Sequence, residues 1–226
     1  MTRIISADCH INEPPGVFEG VPRHLRERAP RMLRGPDGGD GWSFDGKPPK
    51  RTFGVEAMAG RSDGGKASGL RFDEILPGNW DGAAHAKDMA QDGVDVSVVY
   101  PAHAIFTYLE ADRELGLACM RSYNDWLLED FQAAAPGHIV GLPLLPVDDG
   151  IEVALAELER ALAKGARGVF IPANPARPYH DPHYDPLYPT AEEGGVPLCF
   201  HRTFGGRPSE VDWDELVQQQ VTVSGT

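Results

Sequence analysis

The sequence has few cysteines, a deficit of basic residues and no long apolar run. Three widely spaced cysteines, Cys9, Cys119 and Cys199, are odd in number and favour reduced thiols over a disulfide framework. The 21 basic and 34 acidic residues give a net charge of −13, which argues against a nucleic-acid partner. No run approaches about 18 apolar residues, and MTRIISADCH has no basic segment leading into an apolar one, so neither a membrane nor secretion is expected. We therefore predict a cytoplasmic location.

The composition is that of an ordinary globular protein with a sizeable core. The chain has 226 residues, of which 41% are hydrophobic and 24% charged. A polar, glycine-rich stretch at about residues 14–83 shows little periodicity, so we expect an insertion that contributes little to the core. Within it, Trp42 and Phe44 followed by Asp45-Gly46 predict a small hairpin, because Asp-Gly suits a tight two-residue turn. We predict a single partial domain over residues 1–226 that carries this insertion.

Beyond the insertion, helical and strand patterns alternate, which is typical of parallel strands joined by helical crossovers. After a first strand near the N-terminus, strands are predicted at 94–100, 139–145, 167–171 and 196–201. Helices are predicted at 84–92, at about 110–135, from an Asp149/Glu152 capping box to Gly165, and from Asp185 to Gly194. Five strands with four crossovers amount to about five of the eight units of a TIM barrel, and an open parallel sheet is the alternative.

The first predicted strand ends in an Asp-x-His pair. Ile4 and Ile5 predict that this strand is buried. Side-chain alternation places Asp8 and His10 on one face of it, about 6.6 Å apart along the strand. The fifth strand ends in His201, and in a barrel the first and fifth strands face each other, so the three side chains can converge on one divalent cation. A turn or helix cap for the Asp-x-His pair, and a core histidine for His201, are the structural alternatives.

Several short segments along the chain form a recognisable set. They are the Asp8-x-His10 pair, KDMAQDGVDVSVVYP, YNDWL, GLPLLP, RGVFIP and YDPLYPTAEEGGVPLCFH. Together they resemble the amidohydrolase-related superfamily, in the branch that includes aminocarboxymuconate-semialdehyde decarboxylase and aromatic-acid decarboxylases. The resemblance implies a TIM-barrel-like, metal-dependent hydrolase fold. It also implies that Asp8, His10 and His201 bind a single divalent metal, usually Zn²⁺ or Mn²⁺, which acts as a Lewis acid.

The resemblance also implies site residues that this sequence does not match. The family has an acid/base histidine near the end of its sixth strand and a ligand aspartate at the end of its eighth, and neither has a counterpart after His201. We therefore assign no catalytic residue, and we expect a C-terminally truncated fragment with impaired activity. A non-catalytic remnant that folds by self-association or with a partner is the alternative, so it is left open whether this chain is an enzyme.

Three polar residues near predicted strand ends are candidates for substrate binding. His103 follows the second strand, Asn174 the fourth and Arg202 the fifth, and barrel enzymes bind substrate at this face. Arg202 is also of a type that pairs with carboxylates. The resemblance implies a small carboxylic acid as the substrate, processed by decarboxylation or by hydrolysis. A homo-oligomer is possible, whereas nucleic acid and membrane are not expected as partners.

Overall fold

Parallel strands and helices alternate through most of the chain. The computed structural model describes residues 3–44, 46–49, 51–62 and 65–204, with the backbone alone for 202–204. The strands are β1 (Ile5–Ile11), β2 (Arg31–Arg34), β3 (Asp40–Ser43), β4 (Val96–Pro101), β5 (Ile139–Gly141), β6 (Val169–Asn174) and β7 (Leu198–Phe204). The helices are α1 (Gly82–Asp92), α2 (Arg113–Trp126), α3 (Ile151–Ala163) and α4 (Leu187–Glu193). Apart from β2 and β3, each strand reaches the next through a helical crossover, as the sequence predicted.

The parallel strands form one row in chain order. β1 pairs with β4, and β4 pairs with β5. A parallel bridge between Leu144 and Phe170 continues the row from the segment after β5 to β6, which pairs in turn with β7. Within the described residues the row does not close, because no strand joins β7 to β1. This α/β arrangement is an incomplete TIM-barrel-like fold, which confirms the predicted fold class.

Two helices differ from their predicted form. The Asp149/Glu152 capping box does not form: α3 begins after Gly150 without a side-chain cap, and the Asp149 carboxylate pairs with Arg113 at 3.2 Å instead. The long helix predicted at about 110–135 remains α-helical only through α2, and Leu127–Phe131 forms a π-helical turn with both ends buried. No helix in the described part of the chain combines the length and apolar character needed to cross a membrane.

The insertion contributes to the core, contrary to the prediction. Val17, Phe18, Trp42 and Phe53 are buried in the same apolar cluster as Val99 of β4. These insertion side chains lie along mostly irregular backbone at no regular spacing, and therefore they give no periodic signal in the sequence. The segment is thus packed as part of the domain and does not lie outside its core.

The insertion contains a hairpin, but its turn lies elsewhere than predicted. β2 and β3 pair in antiparallel fashion, with Arg34 opposite Asp40 as the last pair before the turn. Gly38 adopts a φ of 85° in this turn, a backbone conformation that favours glycine. The predicted Asp45-Gly46 turn is therefore not the one that joins the strands, and Asp45 lies outside the described residues.

The two ends of the strand row are exposed. Ile4 is 52% and Ile5 55% exposed, because among the described residues β1 pairs on one side only. At the opposite end, Phe200 of β7 is 54% exposed. The prediction of a buried first strand is therefore wrong. Two uncovered edges are what an incomplete barrel presents.

Candidate metal centre

Two side chains with metal-ligand chemistry lie at the carboxyl end of β1. The strand runs beside β4 with His10 opposite Tyr100, after a shift in register between Ser6 and Cys9. Asp8 and His10 point to the same side of the strand, and His10 Nε2 lies 3.3 Å from Asp8 Oδ1. At this separation both donor atoms can reach one ion.

His201 approaches the same point from β7, at the other end of the row. It is paired in register with Pro172 of β6, and its Nε2 lies 3.5 Å from Asp8 Oδ1. The imidazole centroids of His10 and His201 are 5.0 Å apart, with their planes at 65°. One donor atom from each of Asp8, His10 and His201 lies within 4.8 Å of the others. Because the first and last strands meet here, the row must curve as a barrel does.

We call Asp8, His10 and His201 the ligand cluster. Their side chains are 68%, 38% and 23% exposed, so solvent and small molecules can reach the donor atoms. A carboxylate oxygen and two imidazole nitrogens suit Zn²⁺ or Mn²⁺, and the exposure leaves room for further ligands. Of the residues that the structure describes, no other group of three or more His, Cys, Asp or Glu is arranged to hold a metal. The structure brings the three predicted residues together, and their role as ligands stays a prediction.

Aromatic side chains surround the imidazoles of the ligand cluster. The ring centroid of Tyr100, on β4, lies 4.7 Å from that of His201 and 5.9 Å from that of His10. Phe170 of β6 lies 5.9 Å from His201, and Tyr108 stacks on Phe170 at 6.0 Å. Burial raises the pKa of Tyr100 to about 12, so its hydroxyl stays protonated at neutral pH. Tyr100 was not among the residues predicted from the sequence, although it stands near the end of a strand, where barrel sites are built.

A second group of acids and histidine lies at the ends of β1 and β4. The ring nitrogens of His103, just after β4, lie 3.4 Å from Glu13 Oε2 and 3.5 Å from Glu56 Oε1. The Glu13 carboxylate, just after β1, also accepts hydrogen bonds of 2.8 to 3.1 Å from the backbone N–H groups of His103 and Ala104. Glu56 comes from the insertion and pairs with Arg51. We call Glu13, Glu56 and His103 the buried cluster, and it ties the insertion to the two strands.

The charges of the buried cluster stabilise one another. Burial alone lowers the pKa of His103, but Glu13 and Glu56 outweigh this effect and raise the pKa to about 9. Burial raises the pKa of Glu56, but His103 and Arg51 outweigh it and lower the pKa to about 2. At neutral pH His103 is therefore a cation between two acidic side chains. A protonated imidazole has no lone pair, so in this state His103 neither binds a metal nor accepts a proton.

The predicted substrate contacts lie at the expected end of the strands but in different surroundings. His103 is in the buried cluster, Asn174 is exposed at the last position of β6, and the Arg202 side chain lies outside the described residues. All three stay predictions. Glu13 and Glu56 were not among the residues predicted from the sequence. The NEPP segment directly after an apolar strand was the available signal for Glu13, whereas Glu56 stands in irregular backbone and gave none.

Fold and site together define a class of protein. The incomplete TIM-barrel-like fold gathers a carboxylate and two imidazoles at its strand ends, the face at which TIM barrels build their sites. The model of the family described as "Amidohydrolase" matches residues 7–220. The chain therefore belongs to the amidohydrolase family. No curated protein matches it.

Solved structures have the same fold. An amidohydrolase from Mycobacterium avium subsp. paratuberculosis K-10 is 21% identical with a TM-score of 0.72, and the match covers 98% of this chain and 61% of that one. 2,6-Dihydroxybenzoate decarboxylase from Rhizobium is 18% identical with a TM-score of 0.52, and the match covers 95% of this chain and 54% of that one. 5-Carboxyvanillate decarboxylase from Novosphingobium aromaticivorans is 16% identical with a TM-score of 0.57, and the match covers 99% of this chain and 55% of that one. At these identities the similarity shows the fold, and the chain spans about half to three fifths of the length of these proteins.

Proposed function

We propose that this chain supplies the metal-binding part of an amidohydrolase-family active centre that acts on a small carboxylic acid. The observation that carries the proposal is the ligand cluster, in which one donor atom from each of Asp8, His10 and His201 lies within 4.8 Å of the others. The donors come from the first and last strands of the row and meet at the face where barrel enzymes bind substrate. Zn²⁺ is the proposed ion, and Mn²⁺ is the alternative.

Each residue of the ligand cluster has a distinct part in the proposed site. Asp8 supplies an anionic oxygen that offsets part of the charge of a divalent ion, and His10 and His201 supply neutral Nε2 donors. When bound, the ion would polarise a substrate carboxylate or a water molecule as a Lewis acid. The exposed side of the cluster leaves space for the substrate. No acid or base is assigned among the described residues, and His103 is held in the buried cluster.

The solved relatives support decarboxylation of an aromatic acid more than hydrolysis. One decarboxylase structure contains 2,6-dihydroxybenzoate, and another contains manganese with 4-hydroxy-3-methoxy-5-nitrobenzoic acid. We infer that this chain takes a small aromatic or unsaturated carboxylic acid of that kind. Impaired turnover by this chain is part of the proposal, since no acid or base is assigned among the described residues.

Metal content tests the site directly. The full chain is loaded with Zn²⁺ or with Mn²⁺, freed of excess ion, and measured for bound metal by mass spectrometry. About one ion per chain is expected in the wild type and much less in His201→Ala, since that variant loses one of three protein donors. His180→Ala is the matched control, because His180 is an exposed loop histidine. Equal metal in the wild type and His201→Ala would remove His201 from the site.

Turnover tests the second part of the proposal. The metal-loaded chain is incubated with 2,6-dihydroxybenzoate and related aromatic acids, and the released carbon dioxide is measured. We expect slow, metal-dependent release that is absent in His201→Ala. Rapid turnover by a monomer of this chain would contradict impaired activity, and cleavage of an ester or amide analogue without carbon dioxide release would favour hydrolysis.

A non-catalytic protein that associates through its open edges is the second candidate. The exposure of Ile4, Ile5 and Phe200 at the two ends of the strand row favours it, because uncovered apolar edges promote association. Sedimentation of the purified chain tests the association: a homo-oligomer that binds no metal would support this candidate. A monomer that binds one metal ion would contradict it.

A further inference from the structure

Tyr100 contacts both histidines of the ligand cluster from a strand that supplies no ligand. Its ring plane is tilted by 37° to the His201 imidazole and by 31° to the His10 imidazole, so it packs against both rings. His10 stands on β1 and His201 on β7, at opposite ends of the strand row. Tyr100 on β4 is therefore a single side chain that touches the ligands from both ends.

The Tyr100 ring is itself fixed in place. It is 8% exposed and packs against Phe170 of β6 with centroids 6.1 Å apart. It also lies beside Cys199, the residue two positions before His201 on the same face of β7. Contacts to β6 and β7 thus hold the tyrosine in one orientation.

Burial alone does not fix the two imidazoles. Their side chains remain partly exposed, and an exposed imidazole that must be ordered on metal binding loses conformational freedom at that moment. A ring already packed against both imidazoles makes that loss smaller. Hydrogen-bonded partners outside the ligands commonly orient metal-binding histidines, and the packed ring would restrict these two imidazoles to the same end.

We propose that Tyr100 is a positioning residue that holds the His10 and His201 imidazoles at the separation a shared metal ion requires. The inference rests on the proposed function, because it assigns Tyr100 a role toward that metal site. The ring provides the effect through its contacts with the two imidazoles.

Titration with Co²⁺, which has a visible spectrum, tests the inference on the full chain. Tyr100→Leu removes the ring and is expected to weaken Co²⁺ binding by about 10-fold or more, in the range found for outer-shell partners of metal ligands. Tyr100→Phe keeps the ring and is expected to weaken binding less. The matched control is Tyr123→Leu, which removes a buried tyrosine of α2 that packs against Trp126. It is expected to leave the affinity and the Co²⁺ spectrum unchanged.

The outcomes separate this inference from the proposed function. Co²⁺ binding that depends on His201 but is unchanged in Tyr100→Leu would overturn the role of Tyr100 alone. Equal Co²⁺ binding by the wild type and His201→Ala would overturn both. Far-ultraviolet circular dichroism shows whether each variant folds.

A second measurement covers the case in which Tyr100→Leu does not fold. In the metal-free wild type, the imidazole proton resonances that disappear in His10→Ala are expected to be displaced by the ring current of Tyr100. Those of His201 are not used, because Phe170 also packs against that imidazole. Resonances at the positions of free histidine would overturn the inference.

Discussion

The ligand cluster and the buried cluster use the same residue types at the same end of the strand row, but they satisfy their charges differently. Asp8 is the most exposed member of the first, and its Oδ1 faces two imidazole nitrogens. Glu13 is fully buried in the second, and both of its oxygens accept backbone N–H groups. A buried carboxylate whose oxygens face backbone N–H groups and a buried cation stabilises the fold. An exposed carboxylate beside imidazole donors is instead available to a metal.

Substitutions in the two clusters are expected to have separable effects. Changes in the buried cluster should lower the free energy of unfolding of the metal-free protein. Changes in the ligand cluster should lower metal affinity and leave that free energy nearly unchanged, because its side chains are accessible to water. Each variant is therefore measured for both quantities.

The largest change, a loss in the free energy of unfolding, is expected from Glu13→Ala. The substitution leaves the N–H groups of His103 and Ala104 without their acceptor and removes one of the acids beside a buried cation. Loss of one partner of a buried pair typically costs about 3–5 kcal/mol. Urea unfolding followed by circular dichroism measures the change. Glu27→Ala, at an exposed position, is the control, and an equal loss in both variants would mean that the buried cluster does not stabilise the fold.

Asp8→Ala is expected to act on metal binding instead. It removes a direct ligand, so the dissociation constant for Zn²⁺ should rise by more than about 100-fold, beyond the usual effect of an outer-shell change. A 100-fold change corresponds to about 2.7 kcal/mol. The free energy of unfolding of the metal-free protein should change by no more than about 0.5 kcal/mol. Isothermal titration calorimetry measures the affinity. Asp92→Ala, which changes another exposed aspartate, is the control. A large loss of metal-free stability would erase the distinction between the clusters.

The charge state of His103 predicts a pH dependence that is specific to the buried cluster. Its pKa is raised from 6.5 to about 9 in the folded protein, so the stabilisation is fully present below pH 6.5 and is lost as the pH rises through about 9. Urea unfolding of the wild type should therefore show falling stability across this window. His103→Gln should be less stable at neutral pH and should lack the decline. Parallel curves for the two proteins would show that His103 is not charged in the fold.

Much of the scaffold could be predicted from the sequence because its signals are local. Gly93 ends α1 in the left-handed conformation, with φ 73°, as the helix and strand patterns on either side of it require. Asp8 and His10 share a side of β1 because side chains alternate along a strand. The approach of His201 to this pair followed from treating the strands as a barrel, and the structure brings the three together.

The parts that could not be predicted depend on contacts between distant segments. Glu56 meets His103 across nearly fifty positions, and no periodic pattern marks either residue as a partner of the other. Burial of Phe53 likewise depends on packing against the strands and not on local spacing. Ile5 looked like core from its apolar neighbours, but its exposure is set by the edge position of β1, which no local pattern encodes.

The smallest loss in the free energy of unfolding is expected from Arg51→Gln, at the outer end of the buried cluster. Arg51 pairs with Glu56 but its side chain is 42% exposed, and exposed ion pairs contribute about 0–1 kcal/mol. Glu56→Gln should cost more, because Glu56 also faces the buried His103. Urea unfolding of both variants measures the difference, and high salt should reduce the Arg51 effect first. If Arg51→Gln and Glu56→Gln lost the same free energy of unfolding, the surface ion pair, and not the buried histidine, would hold the insertion against β1 and β4.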